Sequence, residues 1–165
     1  MDYSLLKIIN DFTASRSFVT PIAVVCSTYL IFTLPFGVFF LGKKWKRALL
    51  ALFVSVGSAY GVNALIGFLY FRSRPFVDHP VMLLIHKSGA DKSFPSDHTA
   101  LAFAIAMTLF FFDKRLGLLA LVGAMFVGIG RIAVGVHYPS DVFVGMLVGV
   151  CSACIIHRIF FYEKH

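Results

Sequence analysis

Between Arg16 and Arg72 the chain carries charge only at Lys43, Lys44, Lys46 and Arg47, all within one short turn. The apolar runs on either side, residues 17–42 and 48–71, are each long enough to cross a bilayer, which takes about 20 apolar residues as helix. Of the 165 residues, 59% are hydrophobic and 14% charged, with a mean hydropathy of +0.85. Ordinary soluble domains carry about 25% charged residues, and one this small could not hide so much apolar surface from water. The solvent is therefore lipid.

The pattern predicts an all-α integral membrane protein, a single domain over residues 1–165. It reads as a bundle of about five transmembrane helices behind an N-terminal amphipathic helix. Residues 3–12 are that amphipathic stretch, too short to span and expected to lie in the interface. The spans fall at about 18–41 (interrupted by Pro35), 48–71, 99–112, 116–136 and 140–161. In the polar loop 72–95, Pro75, Pro80 and Gly89 argue against a long helix. The first twelve residues include Asp2, Asp11 and only Lys7 as a cation, unlike a removable signal peptide.

The net charge of +7 does not indicate nucleic acid, because the cations punctuate apolar runs instead of forming a patch. Cys26, Cys151 and Cys154 all lie inside apolar runs. Cys151 and Cys154 share one face of a helix without polar company, which favours packing over redox or metal work. Placing residues 43–47 in the cytoplasm brings Lys114, Arg115, Arg158 and Lys164 to the same side. Lys7, Arg16, Arg72, Arg74, Lys87, Lys92 and Arg131 then fall outside. The two sets are nearly equal, and the compact cluster at 43–47 is the strongest single signal. Loop 72–95, the start of the third span and the junction of the fourth and fifth spans then share the outer face.

Those three places hold nearly all the unusual polar residues. At the second, Pro95 and Ser96 set a helix start, and the free amides of a first turn are suited to bind phosphate. The span that follows, 99–112, covers only roughly 21 Å at about 1.5 Å per residue. Ser96 and His98 are thereby expected near the depth of a lipid headgroup. A capped helix alone would account for Ser96, but not for His98 beside Asp97. Arg131 lies in an apolar run, where an unpaired guanidinium costs about 2.5–3.5 kcal/mol or more. A phosphate would offset that cost by accepting its fork, whereas a snorkelling arginine belongs nearer a span end. His137 and Asp141 are four apart across Pro139. If Pro139 opens a helix, the carboxylate can reach back to the imidazole, fix its tautomer and leave the other nitrogen as nucleophile or base. The pair alone is a weak motif and could be a metal pair, but no third convergent ligand accompanies it.

Arg74-Pro75, then Pro95-Ser96-Asp97-His98, then Gly130-Arg131 with His137 and Asp141 following, resemble the three motifs of the type-2 phosphatidic acid phosphatase superfamily. The wording Phe-Arg-Ser-Arg-Pro-Phe and Ser-Phe-Pro-Ser-Asp-His is similar to its bacitracin-resistance branch, the undecaprenyl-pyrophosphate phosphatases. Three positions depart from the superfamily pattern: Gly67 stands where the first motif has lysine, Asp97 where the second has glycine, and Gly130 where the third has serine. Lys87, Lys92 or Arg72 would have to supply the missing first-motif charge, although the branch also lacks that lysine.

The resemblance implies that His137 attacks phosphorus, that Asp141 orients it, and that His98 serves as acid and then base. Arg74, Arg131, Lys92, Ser96, Asp97 and nearby backbone amides would hold the phosphate. It implies no metal and no cofactor and a membrane lipid substrate, while the basic turn at 43–47 and the alternation of the spans put the expected site on the extracytoplasmic face of the bacterial cytoplasmic membrane. The expected reaction takes undecaprenyl pyrophosphate to the monophosphate, recycling the cell-wall carrier and conferring bacitracin resistance. A phosphatase for phosphatidic acid or phosphatidylglycerol phosphate is the neighbouring alternative. A non-catalytic anion-binding or transport protein is the alternative of another class, against which the lack of an inverted repeat speaks.

Overall fold

A computed structural model describes residues 2–161, and every regular element among them is helical. The elements run α1 (Asp2–Ala14), α2 (Val19–Thr28), α3 (Leu30–Thr33), a 3-10 stretch (Leu34–Lys44), α4 (Trp45–Leu69), α5 (Pro75–Asp78), α6 (Asp97–Phe112), α7 (Lys114–Ala133) and α8 (Pro139–Ile156), which ends in a π turn, His157–Phe161.

Three helical stretches among the described residues are long and apolar enough to cross a membrane: Leu30–Leu69, Lys114–Ala133 and Pro139–Phe161. Val19–Thr28 and Asp97–Phe112 are shorter apolar helices. The expected first span is thus a chain of short pieces. Pro35 sits at the start of the 3-10 stretch, and Gly42 breaks it with φ of 56°, turning the chain into α4 at the basic cluster. The outward faces explain the hydropathy. Phe53 and Phe68 of α4, Leu119 of α7 and Phe143 of α8 are exposed, a surface suited to lipid and not to water.

The centre of the bundle is α6, which packs on α4, α7 and α8. Its alanines at 100, 102, 104 and 106 are fully buried on all sides, the pattern of a helix enclosed by others. α8 comes close to it because Gly145 and Gly149 lie one turn apart. A Cβ at Gly145 would sit 2.6 Å from the Ser96 carbonyl oxygen, and one at Gly149 would sit 2.2 Å from that of Ala100. Small residues at this spacing let helix backbones touch where no hydrophobic force draws helices together. The contact fixes the start of α8 beside the start of α6. With 16 residues, α6 spans roughly 24 Å at about 1.5 Å per residue, short of the hydrocarbon core of about 30 Å.

α1 is the expected amphipathic helix, and its inner face is docked on the protein. Leu6 is fully buried, and Asn10 donates to the carbonyls of Met82 and Ala133, each at 2.9 Å, while accepting from the Met82 amide. Loop 70–96 crosses the same end of the bundle, with only the single turn α5 as helix.

Candidate active site

The start of α6, the end of α7, the start of α8 and loop 70–96 meet at one end of the bundle. Gly135, with φ of 83°, turns the chain out of α7, and Pro139 opens α8. His137 is carried between them with its side chain inward. Four ionisable groups are buried here, with exposures of 4% for Arg74, 3% for Arg131, 3% for His137 and 0% for Asp141. Ionisable groups are rarely buried in this way in a membrane protein without a function.

His137 is held differently from the expectation. Its Nδ1 lies 2.8 Å from the Ser93 carbonyl oxygen, while Asp141 Oδ2 is 3.6 Å away. A carbonyl oxygen only accepts, so Nδ1 carries the proton and Nε2 keeps its lone pair. Arg74 Nη1, a donor, lies 3.4 Å from Nε2, which agrees with that tautomer. Burial first, and then the charges of Arg131 and Arg74, push the imidazole pKa down to about 4 against the pull of Asp141. The ring is therefore neutral at physiological pH.

Asp141 orients the surrounding frame. Oδ2 accepts from the Ser93 hydroxyl at 2.6 Å and the Tyr138 amide at 2.8 Å, the latter closing a capping box on α8. Oδ1 accepts from Arg72 Nη1 at 2.8 Å. Asp141 thus fixes Ser93, whose carbonyl in turn fixes His137. Neither Ser93 nor this role of Arg72 follows from the motif spacing.

Ser96 stands at the N-cap of α6 as expected, but its hydroxyl makes no cap bond. It accepts from Thr99 Oγ1 at 3.0 Å, and the Ser96 amide donates to the Asp141 carbonyl at 3.1 Å. The first-turn amides of α6 are left to other acceptors. His98 is half-buried on that turn, within electrostatic reach of Arg131 and His137. Among the described residues Arg131 has a single long hydrogen bond, from Nη1 to the Ser27 carbonyl at 3.3 Å, and its Nε finds no partner. Arg74 Nη1 donates to the Val136 carbonyl at 3.0 Å, and its Nε too is buried without a partner among the described residues. Two buried guanidiniums with unused donors beside a neutral imidazole make a strong anion site.

The three cations weighed for the missing first-motif charge separate clearly. Arg72 faces the carboxylates of Asp2 and Asp141, and Lys87 pairs with Asp91 at 2.8 Å. Lys92 lies over Gly67, where a Cβ would fall 2.1 Å from its Cδ. The glycine makes room for the lysine stem. The Lys92 ammonium reaches Asp97 Oδ1 at 2.9 Å and the Pro95 carbonyl at 3.3 Å, and Asn63 of α4 donates to the same two groups. Sequence reasoning missed Asn63, although a lone amide in an apolar run is a signal that could have found it. Cys151 is exposed and Cys154 partly so, and both are free.

A family model described as the PAP2 superfamily matches residues 48–165. The chain belongs to the PAP2 superfamily. It is 34% identical over 165 residues to the undecaprenyl-diphosphatase BcrC of Bacillus subtilis, covering 96% of this chain and 83% of that one. It is 34% identical over 160 residues to the protein named bacitracin transport permease protein BcrC in Bacillus licheniformis, covering 94% and 79%. The crystal structure of Aquifex aeolicus LpxE superposes with a TM-score of 0.78 at 28% identity, covering 95% of this chain and 94% of that one. As a PAP2 member with apolar helices facing outward, the chain is a bacterial membrane protein of a lipid phosphatase superfamily.

Proposed function

We propose that this PAP2 protein hydrolyses undecaprenyl pyrophosphate to undecaprenyl phosphate and inorganic phosphate through a phosphohistidine at His137. The observation that carries the reading is the imidazole held with Nδ1–H on the Ser93 carbonyl and its Nε2 lone pair beside Arg74. A terminal phosphate arriving there takes the unused donors of Arg74 and Arg131 and the first-turn amides of α6. Nε2 attacks phosphorus as the bond to the bridging oxygen breaks. Burial and the Arg131 charge hold the His98 pKa down to about 3. The negative charge of the arriving phosphate offsets both, so that His98 takes up a proton, gives it to the bridging oxygen, and undecaprenyl phosphate departs. His98, now neutral, removes a proton from water as the water oxygen attacks the phosphohistidine. The P–N bond breaks, and phosphate and free His137 are regenerated. The two arginines supply the positive charge, so the reaction proceeds without a metal or other cofactor. Loss of the pyrophosphate form of the carrier is also what would confer bacitracin resistance.

The transport word in the Bacillus licheniformis name belongs to that relative. Here a neutral buried imidazole with a free lone pair favours chemistry over passage. The test is phosphate release by purified protein from undecaprenyl pyrophosphate, phosphatidic acid and phosphatidylglycerol phosphate. The expected result is a kcat/KM for the pyrophosphate well above both others; preference for either monoester would assign the neighbouring activity, and binding without release would remove the enzyme.

Lys92 and Asp97 are proposed to form the phosphate-facing mouth, the lysine cancelling a carboxylate that would otherwise repel the substrate. Lys92→Met is expected to raise KM about tenfold, in line with the penalty for leaving one charge of a pair unpaired. Lys92→Met with Asp97→Asn is expected to recover much of that loss. A double variant as impaired as the sum of the two singles would sink the pairing.

The site is proposed to open to the extracytoplasmic face, from the basic turn at residues 43–47 and alternation of the spans. Single cysteines at Ser88 and Lys44 in a cysteine-free background, labelled in intact cells with an impermeant thiol reagent, read the topology directly. Position 88 is expected to label and position 44 not to; the reverse would put the reaction in the cytoplasm.

A further inference from the structure

We propose that α1 is part of the catalytic machinery and that Asp2, acting through Arg72 and the start of α8, is a positioning residue for Asp141 and His137. The inference rests on the roles proposed for those two residues. The Arg72 guanidinium lies between two carboxylates. Nη1 donates to Asp141 Oδ1 at 2.8 Å and to the Ser140 hydroxyl at 2.7 Å, while Nη2 donates to Asp2 Oδ2 at 2.9 Å. Its plane is held over Tyr138, with Cζ 3.8 Å from the ring centroid. Asp2 also accepts from the Ser140 amide at 3.0 Å and from the Ser140 hydroxyl. Burial opposes the charge on Asp2, but the bonds from Ser140 and Arg72 outweigh it and hold the carboxyl below its ordinary range.

Ser140 is the second residue of α8, so its amide is one of the donors a helix cannot satisfy internally. Asp2 therefore caps α8 from another helix, with its negative charge at the favourable end of the dipole. Asp141, the next residue, caps the same turn at Tyr138. One guanidinium and one helix turn thus join Asp2 to the carboxylate that holds Ser93, and Ser93 holds the imidazole. The bonds of Asp2 are not what docks α1. Leu6 and Asn10 are buried further along the helix and have their own partners. Without Asp2, Arg72 keeps one carboxylate, the Ser140 amide loses its acceptor, and Asp141 loses the clamp on its outer side.

The test is steady-state turnover of undecaprenyl pyrophosphate by the purified full chain in detergent. Asp2→Asn and Asp2→Glu are compared in the wild-type and Asp141→Asn backgrounds, with thermal unfolding recorded alongside. Asp2→Asn is expected to lower kcat about tenfold, the scale of a small misplacement of a reacting group, with KM and the unfolding temperature nearly unchanged. Asp2→Glu should recover part of the loss. In the Asp141→Asn background, Asp2→Asn should change kcat little, because its route is already cut. An equal loss in both backgrounds, no loss in the wild-type background, or a loss that tracks unfolding would overturn the proposal. A readout free of any substrate separates it from the choice of lipid. The nitrogen NMR signals of His137 should shift between wild type and Asp2→Asn; unmoved signals would overturn the coupling even if the substrate reading stood, and a shift would support it even if that reading failed.

Discussion

Replacing His137 by alanine is expected to abolish turnover, on the order of 10⁴-fold or more in kcat, as when a covalent nucleophile is removed from a group of residues acting as a unit. No second side chain in the site combines burial, a fixed tautomer and a free lone pair next to the guanidiniums. The loss should be chemical and not structural. The ring makes one close bond, to the Ser93 carbonyl, and Ser93 is separately held by Asp141 and by its own amide on the Arg72 carbonyl at 2.8 Å. Substrate should therefore still bind, and single-turnover experiments should find no acid-labile phosphoprotein. Turnover by His137→Ala within about tenfold of wild type, a difference of only about 1.4 kcal/mol in barrier, would eliminate the phosphohistidine.

Arg131→Met is expected to lower kcat/KM on the order of 10²–10³-fold, the scale for losing one preorganised donor to a transition-state charge. Lysine should rescue poorly, because an ammonium cannot present the planar fork. The same substitution should raise thermal stability. Arg131 is 3% exposed and, among the described residues, has one long bond to a carbonyl and an Nε with no partner. An uncompensated charge is costly to bury, and a hydrophobic residue of similar volume relieves that cost. The unfolding temperature in detergent should rise by about 2–4 °C for each kcal/mol relieved. A variant that lost both activity and stability would mean that Arg131 is a structural tie to α2 and not an anion donor.

Much of the bundle was readable from residue types. Long uncharged runs, basic turns and a capable helix start at Pro95-Ser96 each follow from local physics, and the helices begin close to where those signals fall. The first span was less legible. Pro35 marks an interruption, but that the chain winds on as a 3-10 stretch to Lys44, broken at Gly42, goes with its packing on α4 and α6, which local sequence does not display. In the site, Arg131 stood out because charge in an apolar run needs a reason, His98 because it sits beside Asp97 at a helix start, and His137 and Asp141 because they lie four apart across Pro139. What holds them was hidden. The Nδ1 partner is a backbone carbonyl, and every residue has one, so no side-chain pattern could point to Ser93. Arg72 and Asp2 meet across 70 positions of chain, a distance over which spacing carries no information. Gly67 showed that a lysine was missing, but only packing shows that the Lys92 stem occupies the place a side chain there would take.

The bonding around Asp141 also bears on how the enzyme is made. Its carboxylate accepts from Arg72, from Ser93 and from the amide of Tyr138, so the receptor of all these bonds leaves the ribosome after every one of its donors. Until α8 inserts, a nascent chain has Arg74 and Arg131 but lacks the carboxylate that orients Ser93 and, on the roles proposed above, the nucleophile. On the same roles, the unfinished protein is expected to attract phosphate without cleaving it. Competence is then expected to arrive in one step, with the last helix, and a chain truncated before Asp141 is expected to be catalytically silent however well its earlier helices insert.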